Sequence, residues 1–459
     1  VPSRRDQVEA YSFASGRLRS ALVSGDPDAP RAPLRRTPIG LVIGTLLALL
    51  ALGGAALLAL LRPGSAPGWA QPGTLIIEKE TGNRFVMADG RLHPVLNYSS
   101  ARLLLTDKYR TTAVSAEALA DRPRGGRLGI EGAPDLLPAR SGGHSWLVCA
   151  TGTTSADGQV TPGVTVHLDP PSAPDRSAAA TALVRAPDGA TYLVQEGLRL
   201  RLTTGWVAHA LGYAALRPVP VTESWLETIP VGPDLGPIPA TGRGQDGPGG
   251  TTVGQILRSN QPAPPDQFFL TTSAGLVPVN DTVAALVLGD PQVRTAYGDT
   301  TVGAVPVDLS TLSRVPVLEV PDWARLPLIS RTPADWTGQV PCLRLDVDGN
   351  TVHSALVPLP QEQAQAPPIR EPGTVAGPHV AGGFLTPPRG GALVRTLPAP
   401  GAAGIGLYLV VETGAKYPLA NDGAATALGF SPGGAAPVPA PLLALLPTGP
   451  ELRVLGGES

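Results

Sequence analysis

Three lysines, six histidines and two cysteines are the side chains best suited to chemistry here, and their spacing limits what they could do. A phosphate-cradling loop needs Gly-x-x-x-x-Gly-Lys-Ser/Thr, because the lysine neutralises phosphate charge and the hydroxyl holds Mg²⁺. Neither Gly-Lys-Ser nor Gly-Lys-Thr occurs. Lys416 follows Thr413–Gly414–Ala415 and reads as part of a hairpin turn, and Lys79 with Glu80 precedes another turn. Gly125–Gly126 has no following lysine, so it too reads as a turn. His93, His144, His167, His209, His353 and His379 form no His-x-His or His-x-x-x-His pair, the spacings that bring two imidazoles to one metal. His93, before Pro94, reads as a packed or turn residue. Asp346 and Asp348 in LDVDGN lead into a turn without the other ligands of a calcium loop, and read as a solvated strand end. Serine, histidine and aspartate are scattered, and their presence alone identifies no triad. The expectation is therefore no catalytic residue, no metal ligand and no bound cofactor.

Cys149 and Cys342 have no Cys-x-x-Cys neighbour, which removes a dithiol redox motif and a structural zinc site. The pair is expected to form one disulfide joining distant parts of the chain; two separately buried thiols are the alternative.

These residues hang on one stretch. Ile39 to Leu61 holds 23 consecutive uncharged residues, with Thr45 the one polar member. As a helix it is about 35 Å long, enough to cross a bilayer's hydrocarbon core. A cleavable signal peptide is the closest alternative, but its apolar region is shorter and Pro67 sits badly for cleavage after Ala66. Seven arginines against four acidic residues give residues 1–37 a net charge of +3, with Arg35 and Arg36 at the membrane entrance. The positive-inside rule places this side in the cytoplasm. The remainder lies outside, carrying 28 basic against 33 acidic side chains, and a mildly acidic exterior argues against nucleic acid as partner. Gly40 and Gly44 make a GxxxG pair that would let a second helix approach, a motif that chance also produces.

Residues 3–25 read as an amphipathic helix, capped near Ser3 and stopped by Gly25. Arg4, Arg5 and Arg17 with Arg35 and Arg36 could face lipid phosphates or a cytosolic partner; the weak apolar face favours the protein partner. Beyond the span, 55 Gly and 52 Pro in 459 residues predict many turns, while 42% hydrophobic residues suffice for a core. Thr74–Glu78 and Arg84–Met87 read as strands, Asp89–Gly90 as a hairpin turn, and Tyr98–Leu105 as a helix capped near Asn97. Stretches at 81–105, 188–202, 266–288 and 412–430 share a theme of aromatic strand, glycine turn, apolar strand and short helix. Phe85, Tyr192, Phe268–Phe269 and Tyr417 mark the copies, followed by Gly90, Gly197, Gly275 and Gly423. Strands at 314–320 and 341–348 are expected to form a small central sheet. The fold class is α+β: one transmembrane helix plus an elongated extracytoplasmic region of small repeat units around a central β-containing core. The expected segments are 1–37 (cytosolic helix and linker), 38–61 (span), 62–110 (first repeat) and 111–185 (loop-rich, with Cys149). Then follow 186–290 (repeats and connections), 291–400 (central core with Cys342 and a Pro-rich loop) and 401–459 (last repeat and tail).

The ordered strings SRRDQVEAYSFASGRLRSALVSGDPD, PLRR, one span, RPG…W, IIEKETGNRFVMADGRLHPVLNYSSARLLL, PRGGRLGIEGAPDLLP and W-x-x-C resemble the EccB family. That family is a membrane core component of the type VII (ESX-type) secretion systems of actinobacteria. The resemblance implies a cytosolic N-terminal helix, one span and a large extracytoplasmic domain with repeats around a core. It implies partnership with an EccC-type ATPase, EccD and EccE beside a mycosin protease, with homo-oligomeric contacts, membrane lipids and peptidoglycan as further partners. Family labels call EccB an ATPase, and this sequence supplies no nucleotide motif for that label. The function implied is a structural subunit of the secretion core. An extracytoplasmic ATP-hydrolysing subunit and a peptidoglycan-binding module are the alternatives.

Overall fold

The computed structural model describes the chain except residues 1–2, 27, 29–35, 62–67, 107–108, 140–141, 173, 176–179, 260–266, 331–333, 350, 399–403 and 456–459. The chain forms two compact units, residues 1–92 with 111–124, and residues 93–110 with 125–459.

The first unit begins with a helix, Arg4–Ser24. Ser3 and Asp6 close a capping box, the Asp6 carboxylate accepting from the Ser3 backbone N–H at 2.9 Å. Gly25 ends the helix at φ 68°, its N–H bonding Ala21 O, a conformation that glycine adopts without strain. A second helix, Arg36–Leu61, contains the Ile39–Leu57 stretch, long and apolar enough to cross a membrane and unburied by the protein itself. The one hydroxyl within Ile39–Leu57, on Thr45, donates to Leu41 O at 2.8 Å, so that stretch would leave no side-chain donor unpaired in lipid. Trp69, Ile76, Phe85, Leu92, Val114 and Leu119 form a small core under a four-stranded sheet. Its strands are Thr74–Glu78, Arg84–Ala88, Arg91–Pro94 and Arg110–Val114. Asp89 and Gly90 join the second and third with φ of 50° and 70°, the double left-handed turn that matches strand twist.

The second unit is built on a five-stranded sheet whose order is Thr351–Pro360, Gln339–Asp348, Ser145–Thr154, Val160–Leu168 and Gly383–Leu385. The first four are antiparallel and the last pairs in parallel. One face buries Trp146, Val148, Val164, Val166, Leu343 and Leu345. Trp225 seats its indole there, donating Nε1–H to Val148 O at 2.9 Å. The stretch 314–320, expected as a member of this sheet, is not a strand; Val317 makes one isolated bridge to Leu276. Pro316 within it and Pro321 just after it lack the N–H a ladder needs.

Three further four-stranded sheets belong to this unit. Their strands are Ala182–Arg185, Thr191–Gln195, Leu198–Leu202 and Val219–Pro220; Ile256–Ser259, Phe268–Thr271, Leu276–Val279 and Val305–Val307; and Ala392–Leu397, Ile405–Val410, Lys416–Leu419 and Ala436–Pro439. Numbering strands within each sheet in chain order, all four four-stranded sheets run third, second, first, fourth. In these three the fourth strand pairs with the first in parallel. A parallel return needs a crossover, and a helix supplies it: Trp206–Ala210, Asp281–Gly289 and Asp422–Leu428, with Tyr98–Leu105 in the equivalent place after the first sheet's third strand. Asn97, Asn280 and Asn421 cap three of these helices, each side chain accepting from the backbone N–H three residues on.

Each third strand is then flanked by an extended strap from later in the chain. The backbone N–H groups of Leu92, Arg199, Leu276 and Lys416 donate to the carbonyls of Pro123, Pro230, Pro316 and Pro447 at 2.8–2.9 Å. The straps cover sheet edges that would otherwise offer open hydrogen-bonding groups. Two residues after the proline the strap crosses a strand side chain closely. A Cβ on Gly125 would fall 2.1 Å from the His93 ring, on Gly232 2.5 Å from Leu200, and on Gly449 2.2 Å from the Tyr417 ring. Where the strand residue is the smaller Val277, the strap carries Leu318 instead.

Candidate functional site: a disulfide-locked sheet, a spanning helix and a charged cleft

The expected Cys149–Cys342 bond is present and links strands adjacent in the central sheet, with the two cysteines directly opposite and Cα atoms 4.0 Å apart. Both are fully buried, beside Leu147, Val340, Val357 and Leu359 on the sheet face opposite Trp146. Strand alternation explains this: Leu147 and Cys149 point one way, Trp146 and Val148 the other.

Of the residues expected at the membrane, Ile39 and Leu61 fall within the Arg36–Leu61 helix, and Arg36 is its first residue. Arg35 lies outside the described residues. Arg4 and Arg5 are exposed on the first helix, and Arg17 pairs with Asp28 while stacking over Phe13 at 5.7 Å. Val8, Tyr11, Phe13, Leu18 and Leu22 are exposed on the same helix.

Buried titratable groups elsewhere are engaged with the fold. His167 is buried with Nε2 3.2 Å from Ala364 O, and burial holds its pKa below the ordinary value. Lys416 donates to Leu443 O and Leu446 O, at 2.5 and 2.7 Å, at the end of the helix Ala440–Ala444. Burial pushes that amine down to about 8. Tyr417 is raised, first by burial and then by the neighbouring Glu371 carboxylate. Arg243 and Asp290 form a buried ion pair at 2.9 Å. Asp346, expected as strand-end solvation, takes Arg344 Nε at 2.8 and 3.0 Å and Ser145 Oγ at 3.0 Å. Among the described residues no group of three or more His, Cys, Asp or Glu could hold a metal ion.

Two features escaped the sequence reading. Gly429–Phe430–Ser431–Pro432–Gly433 has the Gly-x-Ser-x-Gly spacing of a nucleophile elbow. That elbow runs from strand to helix, whereas here Gly429 caps a helix and the chain passes through a 3-10 turn into a strand, the reverse order. The second is the strap, written as Pro-x-Gly-x-x-Leu at Pro123–Leu128, Pro230–Leu235 and Pro447–Leu452. The spacing was readable, but three fixed residues among so many prolines and glycines stand out only once the partners are seen. The strand register also rephases one expected copy. Tyr192, Phe269 and Tyr408 are the aromatics facing Val184, Leu257 and Val394, so Tyr408 and not Tyr417 is the fourth sheet's counterpart.

Beside the second sheet lies an open cleft of about 400 Å³. Tyr192, Arg199 and Arg201 line it from the sheet, Asp188 from the turn before Thr191–Gln195, Glu223 and Glu227 from the short helix Glu223–Glu227, and Asp234 from the strap.

Residues 1–454 match the family described as "Type VII secretion system ESX-1, transport TM domain B". Over 291 residues the chain is 30% identical to the ESX-1 secretion system ATPase EccB1 of Mycobacterium tuberculosis, a match covering 61% of this chain and 60% of that protein. Over 480 residues it is 26% identical to the ESX-2 secretion system ATPase EccB2 of Mycobacterium tuberculosis, covering 98% and 93%. Among solved structures, it resembles a chain of an intact ESX-5 inner membrane complex with a TM-score of 0.65 at 24% identity, covering 100% of this chain and 96% of that one. It resembles a chain of an EccB3 dimer from the ESX-3 core complex with the same TM-score at 22% identity, covering 83% and 98%. At these identities the two structures establish likeness of fold.

Proposed function

This chain belongs to the EccB family of type VII secretion system components, and on that premise we propose that it is a structural membrane subunit of an ESX-type secretion core. The observation that carries the reading is one apolar spanning helix joined to a large β-rich region whose buried charged groups are engaged in holding that region together. Lys416, Arg243 with Asp290, and Arg344 with Asp346 are all bound within the fold. The four four-stranded sheets are read as copies of one unit; their shared strand order and strap hydrogen bonds support this.

The first helix is placed in the cytoplasm and the β-rich region outside. The arginines before the span support that orientation, and so does the Cys149–Cys342 bond, which persists in oxidising compartments. The partners proposed are an EccC-type ATPase, EccD and EccE, with a mycosin protease and peptidoglycan as outer contacts. Hydrolysis is assigned to the ATPase subunit, because this sequence lacks the lysine-bearing phosphate loop. Curated relatives are named as ATPases, and a direct assay decides between the two readings. The purified full-length chain is expected to turn over no ATP above a detergent blank, and turnover abolished by a competing non-hydrolysable analogue would support the enzyme. In cells, deleting the gene is expected to stop ESX-type export; export continuing unchanged contradicts the proposal.

A further inference from the structure

The four third strands have equivalent positions, because Leu92, Arg199, Leu276 and Lys416 make the same backbone bond to a strap proline. Two residues on, three of the strands carry proline: Pro94, Pro278 and Pro418. The second strand carries Arg201 there, and Arg199 where Leu92 and Leu276 stand. Only Lys416 is also cationic at that position, and its ammonium is bound to the carbonyls of Leu443 and Leu446. Arg199 and Arg201 are two apart on one strand, so their side chains leave the same face, shared by Tyr192, which pairs with Arg201. Their bases are about 7 Å apart, close enough for like charges to repel.

Nothing in the fold accounts for this pair. Among the described residues neither guanidinium has an ion-pair partner within 4.0 Å, although both line a cleft with Asp188, Glu223, Glu227 and Asp234. Glu227 faces His379 at 3.9 Å instead. Glu223 and Glu227 are four apart on their helix and so share one face. The cleft thus has two guanidinium groups on the sheet strand and carboxylates on the helix and the strap that do not close on each other, with Asp188 a further carboxylate at its rim. Its volume of about 400 Å³ is in the range of ligand sites.

We propose that this cleft binds an extended peptide segment in which an acidic and a basic residue are adjacent, the carboxylate meeting Arg199 and Arg201 and the ammonium meeting Glu223, Glu227 and Asp234. Adjacent side chains of an extended chain point opposite ways, so such a pair presents one charge to the guanidinium groups and the other to the carboxylates. A guanidinium offers paired donors that match a carboxylate, which the prolines of the other strands could not. The inference stands on the cleft and on the equivalence of the strands, and the export role has no part in it.

The test is isothermal titration of the full-length chain in detergent with the blocked dipeptide acetyl-Glu-Lys-amide, using acetyl-Glu-Gln-amide and acetyl-Gln-Lys-amide as single-charge controls. Saturable binding is expected, at least about tenfold tighter for the doubly charged peptide. Arg199→Leu with Arg201→Pro installs what the equivalent strands carry and is expected to remove that preference. Glu223→Gln with Glu227→Gln changes charge alone and is expected to do the same. The inference is overturned if no saturable heat appears up to about 10 mM, if all three peptides bind alike, or if the glutamine variant keeps the preference.

Discussion

Breaking the Cys149–Cys342 bond perturbs the structure at the longest covalent shortcut in the chain. The two residues are 193 apart in sequence, yet they face each other in neighbouring strands. In the chain-entropy picture a closed loop of that size removes about 18 cal/mol/K from the unfolded state, or about 5 kcal/mol near room temperature. Native disulfides commonly deliver about 2–5 kcal/mol, so the lower part of that range is the safer figure. The strands themselves should survive reduction, because Gln339–Asp348 pairs on both sides through its backbone. The assay compares denaturant unfolding of the oxidised chain, the chain reduced under partial denaturation, and Cys149→Ala with Cys342→Ala. The expected result is a loss of about 2–3 kcal/mol on reduction with the circular dichroism of the folded state unchanged. The double variant should lose slightly more, since removing two fully buried sulfurs also leaves a cavity. A reduced chain that unfolds within about 0.5 kcal/mol of the oxidised one would refute the reasoning, and would mean that the unfolded chain is already held compact around this pair.

Other consequences are local. Gly449→Ala should cost about 1–3 kcal/mol, because its Cβ would enter the Tyr417 ring, whereas Gly232→Ala meets a flexible leucine tip and should cost less; equal denaturation midpoints for the two would contradict this. Asn280→Ala removes both a cap on Val283 N and a bond to Leu326 O, and should cost about 2–3 kcal/mol by chemical denaturation, against about 1 kcal/mol for the cap alone at Asn421→Ala. Burial lowers the Lys416 pKa from 10.5 to about 8, so between those values the unfolded chain binds more protons and stability should rise with pH, levelling off below the lower one. The neutral amine keeps two N–H donors for Leu443 and Leu446, so the rise should not be offset by lost bonds. Lys416→Met should remove that rise, and an identical pH profile in the variant would exclude Lys416 as its source.

Much of this was readable before any coordinate. The span declares itself by composition, and the caps at Ser3 and Asn97 and the Asp89–Gly90 turn are local chemistry that tertiary packing left alone. The cysteine pair followed from having two cysteines on one side of a membrane. What failed to show was long-range. Tyr417 and Tyr408 are both aromatic strand residues, and only register tells which one matches Tyr192. The straps lack the alternation of a strand, since they pair on one side and are broken by proline, so pattern alone reads them as loop. Residues 314–320 are the exception among the straps, an apolar run whose composition reads as a strand although it forms a single bridge. Arg199 and Arg201 look like ordinary surface charge in LRLRL until the other three strands are aligned with them.

The most direct test of the account is gentle detergent extraction of the tagged full-length chain, followed by native mass measurement and identification of its subunits. The account predicts a particle far larger than a monomer or dimer, containing an EccC-type ATPase and a multispanning EccD-type partner, with ATP turnover assigned to the former. A chain that leaves the membrane alone or as a simple dimer under conditions that preserve other membrane assemblies would contradict a structural role in a secretion core.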